Sequence, residues 1–194
     1  VDDHTTELIR ISSEDQLAHF LDNGLRDLYH ICFGEAPWFE KFEDFEVDEI
    51  IREGFSYPES QLYVVLSKGC VVAFGIAYPL KNSPEVVQFL GDLVNPETTM
   101  YMADVAVLPE YRGRGLGTLL VDTRLTNLPL WCKGVLMRTA QEGSKSMPIY
   151  LRKNFRLFEG KVQMVNSRKA DGSFRPDPRV FLYCEVENIR KEKN

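Results

Sequence analysis

The sequence is short of the features that would place it in a membrane, on nucleic acid or around a metal ion. Its longest apolar run, Val71 to Leu80, carries a proline and falls well below the roughly 20 apolar residues that a membrane-crossing helix needs. The opening stretch VDDHTTEL has neither the basic nor the apolar region of a secretory leader. There are only four cysteines, Cys32, Cys70, Cys132 and Cys184, and no two form a CxxC pair. Neither a zinc site nor a disulfide scaffold is suggested, and reduced, buried thiols in a cytoplasmic protein are the expectation. The three histidines, His4, His19 and His30, fall in the N-terminal region; His19 and His30 read as surface or core residues of a first helix, and no Cys–His pairing for covalent catalysis is visible. Positive charge is outnumbered, 23 Lys and Arg against 29 Asp and Glu, which argues against binding nucleic acid by phosphate neutralisation.

What is present suits one hydrophobic core. The chain has 194 residues, 44% of them hydrophobic, and no stretch that reads as a linker, so a single domain over 1–194 is expected. Thr6 to Ile11 alternates as an edge strand. Ser13 with Gln16 then forms a capping-box pattern, and Leu17, Phe20, Leu21, Leu25, Leu28 and Tyr29 follow at helical spacing. Gly34 and Pro37 end that helix. A second helical region runs from Trp38 to Gly54, with a break near Phe45 because its two apolar stripes do not share a face. Leu62 to Leu66 and Val71 to Tyr78 are strands joined by the turn Ser67-Lys68-Gly69.

Residues 79–99 form an insertion with a short helix announced by Ser83-Pro84-Glu85. Further strands are expected at Tyr101 to Val107, Val135 to Thr139, Leu157 to Val165 and Val180 to Val186. Helices are expected where Leu116, Leu119, Leu120 and Thr123 share a face and at Pro148 to Lys153. Asn166 to Arg179, polar and containing Gly and Pro, reads as an exposed loop, and Lys191 to Asn194 as a frayed tail. The order of elements is that of a mixed α/β protein around one sheet. Charge is uneven: from Glu35 to Glu59 nine acidic residues face only Lys41 and Arg52. Such a cluster either attracts a cation or is a solvated helix face.

One stretch asks for a ligand. Val107-Leu-Pro-Glu-Tyr-Arg-Gly-Arg-Gly-Leu-Gly-Thr118 passes from a strand to a helix. The first turn of a helix leaves amide N–H groups without internal partners, and these attract anions. Glycines let an anion approach the backbone, and arginines add countercharge. The dinucleotide fingerprint fails on spacing, since Thr118 stands where its third glycine is required, and a nucleotide P-loop fails for want of a Lys. A glycine-rich turn with solvated arginines remains the plain alternative.

The pattern Val107-x-Pro109-x-x-Arg112-x-x-Gly115-x-Gly117 resembles the acyl-CoA signature of the GNAT superfamily of N-acetyltransferases, and the element order is similar to that family from about Thr6 to Val186. Relative to the family's minimum, 79–99 and 166–179 are insertions. The resemblance implies a single mixed, largely antiparallel sheet with a central splay, flanked by helices. It also implies acetyl-CoA as co-substrate, no metal, and a small-molecule or peptide amine acceptor, cationic if the acidic segment faces it. Oligomeric state is left open. The phosphate loop would comprise Arg112, Gly113, Arg114, Gly115, Leu116, Gly117 and Thr118, and Val105 and Val107 would offer backbone groups to the pantetheine arm. Tyr150, in Met147-Pro-Ile-Tyr-Leu-Arg-Lys-Asn-Phe155, matches the family's second motif, where a helix-borne Tyr is the acid toward the CoA sulfur. Asn154 replaces the usual Gly there, and Gly143 stands where relatives often carry Asn. Asp104 stands where relatives often carry an acid; it either takes the amine's proton, orients a cationic substrate or does neither. A noncatalytic acyl-CoA-binding sensor would share the loop without needing Tyr150 or an acceptor pocket.

Overall fold

A computed structural model describes residues 5–191. Seven strands form one sheet: β1 (Thr6–Arg10), β2 (Gln61–Ser67), β3 (Cys70–Pro79), β4 (Thr99–Val107), β5 (Gly134–Ala140), β6 (Arg156–Arg168) and β7 (Phe174–Glu185). Their spatial order is β1-β2-β3-β4-β5-β7-β6. Every neighbouring pair is antiparallel except β4 with β5, which is parallel. The helices are α1 (Glu14–Phe20), α2 (Arg26–Gly34), α3 (Asp44–Ser56), α4 (Pro84–Leu90), α5 (Leu116–Thr126), α6 (Met147–Leu151) and α7 (Val186–Lys191). One core, with Leu17, Leu25, Leu28, Val47, Ile51 and Phe74, lies under α1 to α3; another, with Val121, Val135, Tyr150 and Phe155, lies under α5 and α6.

The splay is visible in the register. β4 and β5 pair from Thr99↔Gly134 to Met102↔Met137 and no further, although β4 continues to Val107 and β5 to Ala140. Just before they part, the register of β3 against β4 shifts between Ile76 and Tyr78, a bulge that adds twist. On the β3 side the Leu108 amide donates to the Val72 carbonyl at 2.9 Å. Because antiparallel bonding alternates, the backbone groups of Val105 and Val107 face the other way, into the gap.

Several expectations need correction. The first helix is not continuous: Asn23 and Gly24 (φ −118° and +111°) break it between α1 and α2, a discontinuity that apolar spacing passes over. Ser13 accepts from the Gln16 amide at 3.2 Å as expected, but Gln16 reaches back to the amide of Ser12 rather than Ser13. Trp38 to Phe42 is not helical; α3 starts at Asp44, capped reciprocally by Glu43 and Glu46. Ser83 begins α4 without a side-chain cap, its hydroxyl turning to the Tyr78 hydroxyl at 3.4 Å. On α5 the core face is Leu116, Leu120, Val121, Arg124 and Leu125, while Leu119 is 38% exposed.

The largest correction concerns Asn166 to Arg179, which is not a loop. β6 and β7 run through it as a long hairpin, Asn166 opposite Pro176 and Met164 opposite Pro178. Prolines are tolerated here because the Pro178 carbonyl accepts from the Gln141 amide, on the β5 side. Pro176, in phase with it, faces the same way beyond the end of β5, so neither missing N–H is taken from the ladder with β6. His4 and most of the supposed tail, 192–194, lie outside the described residues.

Candidate active site

Two cavities meet at the splay. The first, about 460 Å3, is lined by Val105, Val107, Arg112, Gly113, Gly115, Leu116, Gly117 and Thr118, together with Lys145 and Arg152. The second, about 660 Å3, is lined by Asp104, Val105, Tyr150, Arg138 and a ring of aromatic residues. Phe33, Trp38, Val105 and Ser146 line both.

The loop before α5 owes its shape to two glycines. Gly113 and Gly115 adopt φ of +74° and +82°, and a Cβ at either would meet no heavy atom within 4 Å. Their requirement for glycine is therefore conformational. Gly115 is the N-cap of α5 and has no side chain to satisfy the first-turn amides, which leaves them open to an external acceptor. Gly117 is different: a Cβ there would stand 3.1 Å from Ile149 Cδ1, so its smallness lets α5 pack against α6.

The arginines of the motif are less free than their sequence suggests. Arg112 Nε donates to the Val107 carbonyl at 2.9 Å, and its Nη2 is bonded to Glu35. Glu35 also takes a bond from Lys145 at 2.8 Å. Burial alone would raise the pKa of Glu35; the bonds from Arg112 and Lys145 outweigh it and hold the group below the usual range. Cys32 Sγ also approaches the Val107 carbonyl, at 3.4 Å; burial pushes this thiol up to about 11, too high for a reactive thiolate at neutral pH. Arg114 lies over the Tyr111 ring at 5.0 Å and bonds the Glu110 carbonyl, away from the cavity.

In the larger cavity Tyr150 is 1% exposed, and its hydroxyl accepts from Arg124 Nη2 at 3.3 Å. Burial raises its pKa and the Arg124 charge opposes that, leaving it raised on balance. It is protonated at neutral pH. Asn154 (φ +62°) ends α6 in the left-handed conformation, with the Phe155 amide returning to the Tyr150 carbonyl at 3.2 Å, so it does the work of the usual Gly. Gly143 adopts φ +70°, the left-handed conformation that favours Gly and tolerates Asn next best, and a Cβ there would also lie 3.3 Å from Pro37 Cβ. Asp104 projects from β4 just beyond the bulge. Burial raises it to about 6, Glu40 adding to the rise and Arg138 and Arg124 opposing it.

Sequence reasoning missed the roof of this cavity. Arg179 bonds Glu40 at 2.6 Å and stacks 4.5 Å from the Trp38 ring; Lys169 bonds the Trp38 carbonyl at 2.6 Å and pairs with Asp177; Arg168 pairs with Glu46. The expected loop therefore closes over segment 38–46. These pairs also consume much of the acidic cluster, since Glu35, Glu40, Glu46 and Asp48 are each bonded to a cation of the chain. Among the described residues no group of three or more His, Cys, Asp or Glu is placed to hold a metal ion, and no helix is long and apolar enough to cross a membrane.

This geometry agrees with the comparisons. Residues 23–155 match the family model of the acetyltransferase (GNAT) family, and the chain belongs to that family. Comparison with curated protein sequences gives no match. Among solved structures, the chain is similar to the ribosomal-protein-S18-alanine N-acetyltransferase from Escherichia coli (10% identity, 94% of each chain, TM-score 0.60). It is also similar to Arabidopsis thaliana NAA60 in complex with acetyl-CoA (14% identity, 94% of this chain and 99% of that one, TM-score 0.62). A third likeness is to mutant forms of the spermidine/spermine N-acetyltransferase SpeG from Vibrio cholerae (11% identity, 97% and 98%, TM-score 0.60). At these identities the likeness is one of fold.

Proposed function

We propose that the chain, as one acyltransferase domain, moves an acetyl group from acetyl-CoA to a primary amine by direct attack in a ternary complex. The observation that carries this reading is the meeting of the two cavities at Val105, one lined by helix-start amides and the other by Tyr150 and Asp104. The smaller cavity suits coenzyme A. The amides from Gly113 to Thr118 would hold the diphosphate, with Lys145 and Arg152 beside it, and Val105 would pair with the pantetheine arm. Arg112 supports the loop from within, through Glu35 and the Val107 carbonyl. Acetyl-CoA supplies an electrophilic thioester carbonyl and a thiolate to be displaced.

The residues then divide the proton chemistry. Asp104, ionised above a pH of about 6, accepts a proton from the acceptor amine directly or through water. The Val105 amide polarises the carbonyl that the amine nitrogen attacks. A C–N bond forms, the C–S bond breaks, and Tyr150 gives its hydroxyl proton to the departing sulfur. Coenzyme A release from acetyl-CoA, measured across polyamines, aminoglycosides and peptides with free amino termini, tests the reading. Turnover on one of these classes supports it. Tight coenzyme A binding without turnover on any would favour a noncatalytic acyl-CoA sensor instead.

A further inference from the structure

The least expected side chain in the core is Arg124. It lies on the buried face of α5 and is 0% exposed, where a guanidinium is costly unless it is fully bonded. No carboxylate bonds it among the described residues. Instead Nε donates to the Leu120 carbonyl at 3.1 Å, Nη1 to the carbonyls of Ile76 and Asp104 at 2.8 and 3.0 Å, and Nη2 to the Tyr150 hydroxyl at 3.3 Å. Room for it comes from Gly75 on β3, where a Cβ would stand 3.1 Å from both Nε and Cζ of the guanidinium.

The placement is specific. Ile76 and Asp104 face each other across β3 and β4 beside the register shift that opens the splay. One planar cation thus ties the bulge, the backbone of Asp104 and the hydroxyl of Tyr150 into one rigid unit. An apolar residue at 124 would fill the same space, and α5 would still pack. What a cation adds is a fixed donor to the Tyr150 oxygen. That donor leaves the phenolic proton free for transfer and stabilises the phenolate left behind.

We infer that Arg124 is a positioning residue for transfer, holding the Tyr150 hydroxyl and the Asp104 segment at fixed separation and compensating the negative charge that Tyr150 acquires when it gives up its proton. The inference rests on Tyr150 being the acid. Arg124 touches neither substrate and acts through Tyr150.

A double-mutant cycle in kcat tests it, using Arg124→Lys, Tyr150→Phe and the pair, with coenzyme A affinity and thermal midpoint measured for each. Arg124→Lys is expected to lower kcat about tenfold with acetyl-CoA KM within about twofold, since the effect is on the transition state. In the Tyr150→Phe background the same change should cost less than about threefold, because the group it serves is gone. Equal losses in both backgrounds would overturn the positioning role while leaving Tyr150 as the acid. No loss in Tyr150→Phe itself would overturn the acid assignment, and this inference with it. Should Arg124→Lys fail to fold, Gly75→Ala replaces it in the cycle, displacing the guanidinium by a few tenths of an ångström without removing any bonding group. The same two backgrounds are compared, and equal losses again count against the inference.

Discussion

The two cavities that meet at Val105 are made of different material. One wall of the smaller is main chain, formed by two left-handed glycines, the first-turn amides of α5 and the outward backbone of β4, with side chains from 32–38 and 145–152 opposite. The larger is shaped by side chains drawn from α2, α3, β4, β5, α6 and the β6–β7 hairpin. A backbone cradle can be written in one contiguous motif, because a few φ values and a missing Cβ decide it. A side-chain cavity requires distant segments to arrive together, and its chemistry depends on which charges neutralise which. The difference explains why a contiguous signature announces the loop of the first, while of the second only Tyr150, through its own short motif, and Asp104 are legible.

The strongest blow to this division comes from removing the acid. Tyr150→Phe should lower kcat by about 10²-fold or more, the range for a general acid, while coenzyme A affinity measured by calorimetry stays within about twofold. An equal loss of binding would show that the two cavities are not separable. Next, kcat/KM should rise about tenfold per pH unit below about 6 and level off above it, because Asp104 must lose its proton before it can accept one. Asp104→Asn should abolish that limb and leave a flat, low profile. On the other side of the boundary, Gly115→Val forces a β-branched residue to φ +82°. It should weaken coenzyme A binding about tenfold or more, because about 1–2 kcal/mol of left-handed strain drives the loop out of the conformation that presents its amides. Gly117→Val should instead lower kcat and thermal midpoint together, because it pushes on Ile149 of α6, the helix that carries Tyr150. The smallest effect is at Glu35, whose carboxylate already sits between Arg112 and Lys145. Glu35→Gln keeps an oxygen to accept from Arg112 while removing the charge that holds Lys145, and should tighten coenzyme A binding by roughly two- to fivefold in titration, the worth of a part-exposed ion pair.

Local signals carried most of the fold. The Lys68-Gly69 turn, the Pro84 start of α4 and the strand leading into the glycine loop are each set by neighbours in sequence. What escaped was decided at a distance. Asn166 to Arg179 looks like a loop because prolines ordinarily leave a sheet; only the pairing partner shows that their missing donors face where β5 has ended. The first helix looks continuous because apolar spacing passes over Asn23-Gly24 without a change of phase. The acidic run from Glu35 to Glu59 looks like free negative charge until Arg168, Arg179, Lys145 and Arg112 arrive from residues far along the chain. Arg124 was passed over, since an arginine on a helix is normally counted as solvated. A hint was present in its spacing, four residues after the buried Leu120 and three after Val121, which puts it on the core face.

The fastening of the roof has a consequence for how such a protein diversifies. Segment 38–46 and the hairpin tip are joined to each other by Glu40–Arg179, Glu46–Arg168 and the Lys169 bond to Trp38, while Arg124, Tyr150 and Asp104 are knit together on the sheet beneath. On the proposed reading, exchanging the hairpin together with its partner segment would change which amines gain admission and leave Tyr150 and Arg124 in place, but it would also remove Glu40 from beside Asp104, so admission and proton chemistry are coupled through that one carboxylate.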